Sequence, residues 1–109
     1  MSLLVLCDHD RGTLAEASLE ALTFGRALAR RLDVSWGAVL IGSGADQAVG
    51  HLAAYGIETV HLATHELLTD YGPEAWGETL AQLVRSTDTT AVTACGTERG
   101  NEVLAQVAA

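Results

Sequence analysis

The chain has 109 residues, a formal net charge of -8 and a pI near 4.7, and all six of its basic residues are Arg. That length suits one domain with a modest core. The acidic balance, without a basic run, argues against nucleic acid and anionic membrane surfaces as partners. The absence of Lys excludes a Schiff-base amine and a Walker phosphate loop.

Leu3–Cys7 is a short apolar run, as expected of a central parallel strand covered on both faces. Asp8–Gly12 reads as a polar, solvated turn. Thr13 and Glu16 have capping-box spacing and predict the start of a helix. Ala17, Ala21, Phe24, Leu28 and Leu32 then recur at helical spacing, with Leu14 and Gly25 alongside, as the stripe that meets the sheet. Val34–Ile41 is a second strand with Gly42-Ser43-Gly44 as its exit loop, and Ala45–Tyr55 a second helix stopped by a left-handed Gly56. Ile57–Ala63 alternates like an edge strand. Thr64–Tyr71 is read as a short helical turn. Pro73 opens a helix that runs to about Arg85. Thr89–Ala94 is a fourth strand, Cys95–Gly100 a polar loop, and Asn101–Ala109 a last helix cut short by the chain end, as in a fragment of something longer. The order β-α-β-α-β-α-β-α predicts an α/β fold, a Rossmann-like parallel sheet with right-handed crossovers and helices on both faces.

Cys7 and Cys95 stand apart and form no CxxC, which fits thiols in a reducing, cytoplasmic setting. No apolar run reaches the about 20 residues needed to span a bilayer, and no signal peptide is evident. Open α/β sheets take ligands beyond the carboxyl ends of their strands. There the Asp8-His9-Asp10 loop offers two carboxylates and an imidazole, but consecutive residues diverge and no spaced partner completes a metal site. Gly42-Ser43-Gly44 is half a phosphate cradle, read first as a tight turn. Gly96-Thr97-Glu98-Arg99-Gly100 opens a helix, so Gly96, Thr97 and Gly100 are candidate nucleotide contacts, although Glu98 opposes an anion. His61 lies on a strand, so His61 and His65 do not share a helical face, and further zinc ligands are lacking. Trp36 and Trp76 are expected to pack into the core or against a partner. No Gly-x-Ser-x-Gly elbow is present.

Three blocks carry a family resemblance. HDRGTLAEASLEALTFGRAL (9–28) resembles the N-terminal region of electron-transfer flavoprotein α subunits, with their EH-x-x-G-x-L start and LEAL-type helix. VLIGSGADQAVGHLAAYGIETVHLA (39–63) and TAVTACGTERGNEVLAQVAA (90–109) are similar to later units of the same domain, in the same order. The chain departs from the pattern at Ala105-Gln106, where Pro-Arg is usual, and at Glu98 and Arg99, where small or aromatic residues are usual.

The resemblance implies a partial N-terminal domain of the adenine-nucleotide-hydrolase-like type, residues 1–109, without the C-terminal FAD-binding domain. It implies a scaffold role, docking the β subunit in an FAD-dependent heterodimer that carries electrons from acyl-CoA and related dehydrogenases to a quinone oxidoreductase. FAD would lie on the absent domain and AMP on the β subunit. No cofactor and no catalytic residue is then expected in this chain, which would not be an enzyme. The alternative expectation is a small nucleotide-binding domain akin to universal stress proteins. A third, a small α/β hydrolase or transferase, lacks an assembled nucleophile and base.

Overall fold

The computed structural model describes residues 2–10, 12–42, 44–52, 56–57, 59–63, 72–87, 89–94 and 97–108. In chain order its elements are β1 (Ser2–Leu6), β2 (His9–Asp10), β3 (Thr13–Leu14), α1 (Glu16–Leu32), β4 (Ser35–Ile41), a 3-10 turn (Ala45–Ala48), α2 (Val49–Leu52), β5 (Thr59–Ala63), α3 (Pro73–Ser86), β6 (Thr89–Ala94) and α4 (Glu98–Ala108). The four long strands form one parallel sheet in the order β5-β4-β1-β6. This is the Rossmann-like α/β architecture that the alternating pattern predicts.

The central strand explains itself. β1 pairs on both sides, Leu4 opposite Gly37 and Val92, so its backbone groups are satisfied and its side chains alternate between two cores. Leu3, Val5 and Cys7 meet Leu22 and Ala29 of α1 on one face. Leu4 and Leu6 meet Trp76 and Leu80 of α3 and Val103 of α4 on the other. Both Trp are buried, as expected.

The helix α1 differs from expectation in two ways. Its first residue follows Ala15, which makes no side-chain cap, so the Thr13–Glu16 capping box does not form. Thr13 is instead used in β3, opposite Asp10. Of the expected stripe, Ala21 and Gly25 are buried and Leu14, Ala17 and Leu28 pack against the core, but the buried face is centred on Ser18, Leu22 and Ala29 as well, while Phe24 and Leu32 are 58% and 53% exposed. A Cβ at Gly25 would lie 2.5 Å from Val5 Cγ2, so glycine lets the backbone of α1 sit this close to β1. The helix ends on Asp33 in a left-handed conformation, whose N–H donates to Arg30 O while that of Val34 donates to Ala29 O.

Further differences follow from local hydrogen bonding. The helix expected over Ala45–Tyr55 is divided into the 3-10 turn and α2, with 53–55 outside the described residues. Gly44, left-handed at φ 79°, starts the tight turn, and Gln47 N donates to Gly44 O three residues back. Gly56 is left-handed as expected, at φ 69°. β5 is shorter than the 57–63 reading but does lie at a sheet edge. The helical turn expected over 64–71 lies outside the described residues. α4 begins at Glu98 rather than Asn101, because Thr97 Oγ1 accepts the Gly100 N–H and caps it. Pro73 occupies the first turn of α3, as read.

Candidate functional site

The chain leaves β1 by α1 toward β4 on one side, while β6 lies on the other side of β1. The carboxyl ends of β1 and β6 therefore flank the switch point, where open α/β sheets take ligands. Leu6, Cys7 and Asp8 come from the end of β1, Trp76 from α3, and Arg99, Gly100 and Val103 from α4. Arg99 Nη1 lies 4.0 Å from Asp8 Oδ1, an ion pair across the crevice. The cavity beneath it has about 10 Å³, room for a single water.

The turn after β1 is not the solvated loop the sequence suggests. Ser18 reaches back from the first turns of α1. Its Oγ accepts the Asp8 N–H at 2.6 Å and donates to Asp8 O at 2.9 Å. The same carbonyl accepts the Ala15 N–H. His9 is only 4% exposed. Its Nε2 lies 2.8 Å from Ile41 O, and the Gly12 N–H donates to its Nδ1 at 3.0 Å. A carbonyl can only accept and an amide N–H can only donate. These partners therefore assign the neutral tautomer with the proton on Nε2. The H-x-x-G spacing thus has a structural use: it lets the ring cap the glycine amide, and Gly12 sits at φ 98°, where a side chain would be strained.

The other candidates are placed as follows. Thr97 spends its hydroxyl on the Gly100 amide, Gly100 is buried, and Gly96 lies outside the described residues. Of the glycine turn, Gly42 N–H donates to Ala63 O and the Gly42 carbonyl accepts the Ala45 N–H, so its polar groups close a turn; Ser43 is outside the described residues. His61 is half-buried on β5, and His65 and Cys95 lie outside the described residues. Among the described residues no group of three or more His, Cys, Asp or Glu side chains is placed to hold a metal, and no helix is long and apolar enough to cross a membrane. Sequence reasoning missed Ser18 and the burial of His9. The available signal was a small hydroxyl residue on the flat, sheet-facing side of α1.

A family model described as the electron transfer flavoprotein domain matches residues 3–109. Among curated proteins, the chain is 34% identical over 86 residues to Protein FixB of Azorhizobium caulinodans, covering 75% of this chain and 23% of that protein. It is 27% identical over 81 residues to the electron transfer flavoprotein subunit alpha of Thermoanaerobacterium thermosaccharolyticum, covering 74% and 24%. It is 30% identical over 80 residues to the subunit alpha of Clostridium acetobutylicum, covering 73% and 24%. The chain spans about a quarter of the length of these relatives. With the family model covering nearly every residue, the chain belongs to the electron transfer flavoprotein domain family.

Proposed function

We propose that this chain is the N-terminal scaffold portion of an electron transfer flavoprotein α subunit. In this reading it docks the β subunit in an FAD-dependent carrier that passes electrons from dehydrogenases to a quinone oxidoreductase, and it has no catalytic residue of its own. The observation that carries the reading is the family match over residues 3–109, joined to relatives that are named as α subunits. In the complete carrier FAD supplies the electron chemistry, and protein supplies position and electrostatics.

The switch-point crevice does not fit FAD. The switch-point cavity, at about 10 Å³, is far too small, and the Asp8–Arg99 pair crosses it. That observation favours support of a neighbouring flavin domain over direct flavin binding. Cytoplasmic residence and a heterodimer belong to the same proposal.

A nucleotide-binding role like that of universal stress proteins is the competing reading. Its supporting observation is the position of Asp8 and the start of α4 at the switch point. Its contacts would be Gly96, Thr97 and Gly100.

Two measurements separate the readings. Under the scaffold reading, the purified chain gains no flavin absorbance on mixing with FAD and forms an equimolar complex with a β subunit by gel filtration. Stoichiometric FAD binding would overturn it. Micromolar binding of ATP or AMP in calorimetry would favour the nucleotide reading.

A further inference from the structure

We propose that His9 is a proton-operated latch on the β2–β3 hairpin. Protonation of Nδ1 releases the Gly12 amide and frees the hairpin, while the Asp8 turn beside it stays in place.

The latch rests on the two backbone partners of the ring. Nδ1 must keep its lone pair to accept from Gly12, and Nε2 must keep its proton to donate to Ile41 O, the last carbonyl of β4. A second proton can only go on Nδ1. It would set one donor against another at Gly12, while the bond to Ile41 O would persist and strengthen. The released end is therefore Gly12.

Apart from the ring, that end is held by a short hairpin and by packing, with Leu14 against the core on the α1 side. The hairpin consists of two residue pairs, His9 with Leu14 and Asp10 with Thr13. Gly12 sits at φ 98°, and its backbone runs close to Gly44 O and Gln47, each 2.8 Å from where a Cβ would stand, so the ring bond is the polar link that a proton can remove while this packing remains.

The charged groups on the surrounding elements are Asp8, Asp10, Glu16, Asp46 and Arg99. Asp10 of the hairpin, Glu16 at the start of α1 and Asp46 of the 3-10 turn are exposed, and Asp8 pairs with Arg99. Among the described residues no carboxylate makes an ion pair with the ring; Arg11 lies outside them. Local opening of the hairpin admits water to the ring. The Asp8 turn is held separately, through Ser18 Oγ and the Ala15 N–H. Opening therefore stops at His9.

The test is an NMR titration of the 109-residue chain, following the His9 ring nitrogens and the Gly12 amide as pH falls from neutrality. At neutral pH the ring shows the Nε2–H tautomer. As it protonates, Gly12 amide exchange, corrected for its intrinsic pH dependence, rises about fivefold to tenfold, the net worth of one hydrogen bond. Amides of β1 and of Asp8 do not change. His9→Asn keeps an acceptor for Gly12 that does not titrate, and its corrected exchange is flat with pH. Two results would overturn the latch: a protonated ring with the Gly12 amide still protected, or a ring that protonates only as all sheet amides exchange together. If His9→Asn fails to fold, the wild-type titration alone decides.

Discussion

The Oγ of Ser18 lies 2.6 Å from the backbone nitrogen of Asp8 and 2.9 Å from its carbonyl oxygen, so one buried hydroxyl acts as both donor and acceptor for a single residue ten positions earlier. It ties the first turn of α1 to the end of β1. Ser18→Ala leaves the Asp8 carbonyl with its Ala15 partner but strips the Asp8 N–H of its acceptor. The expected loss is about 1–3 kcal/mol, read from urea denaturation. A loss within experimental error would mean that water replaces the hydroxyl.

The close seat of α1 on β1 gives a second expectation. Gly25→Ala improves helix propensity by about 1 kcal/mol, yet its methyl would meet Val5 Cγ2 at 2.5 Å. Overpacking of a tight core costs about 1–3 kcal/mol and should win. Gly25→Ala therefore lowers stability, and adding Val5→Ala costs less than Val5→Ala does alone in the parent chain. Simple additivity in that double-mutant cycle would rule out the contact.

At Gly12 the obstacle is backbone. A Cβ would lie 2.8 Å from Gly44 O, and the residue's φ of 98° already disfavours a side chain. Gly12→Ala should cost about 2–3 kcal/mol, in contrast to the same change at Gly50, where nothing lies within 4 Å. Equal effects at the two positions would contradict the packing.

The rotation of α1 is testable from its outer side. Phe24→Ser is expected to change stability by no more than about 0.5 kcal/mol, as for exposed positions generally, while Leu80→Ala in α3 should cost about 2–5 kcal/mol. Thermal melts of the two variants compare them directly. A Phe24 variant as damaging as the Leu80 variant would mean that Phe24 faces the sheet after all.

The Asp8–Arg99 pair spans 4.0 Å, and the Arg99 side chain is 43% exposed. Such a pair contributes at most about 1 kcal/mol. Arg99→Gln should have a small effect that shrinks further at high salt, measured as the shift in the urea midpoint at two salt concentrations.

Elements with a single dominant signal were legible in the sequence. β1 and β6 are apolar or β-branched runs with clear ends, and Pro73 marks the start of α3. The face of α1 was legible in part. Ala21 and Gly25 of the expected stripe are buried, and Leu14, Ala17 and Leu28 pack against the core, but the face is turned toward Ser18, Leu22 and Ala29 and leaves Phe24 and Leu32 exposed. Gly25 sits against Val5, twenty positions away, a contact that no local period reports. The Thr13–Glu16 box failed for a similar reason: its spacing was right, but a strand pairing with Asp10 claimed Thr13 first. The site region was legible only in outline. Asp8 and the start of α4 stand where the topology placed them, but the burial of His9 depends on Ile41 in another strand.

The outermost strands have one more consequence. Among the described residues β5 and β6 each pair on one side only, and neither carries a Lys, Arg, Asp or Glu within its residues 59–63 or 89–94. Charged residues, lysine above all, are the usual guards against edge-to-edge addition, and this chain has no lysine to place there. The two edges are also different. If β5 of one copy adds to β6 of the next in the same direction, the contact is head-to-tail and a free edge remains at each end, so growth does not close on itself. Like edges meeting about a two-fold axis give a dimer. Whatever covers these edges in the assembled protein therefore also decides whether the fold remains a discrete particle or extends along a line.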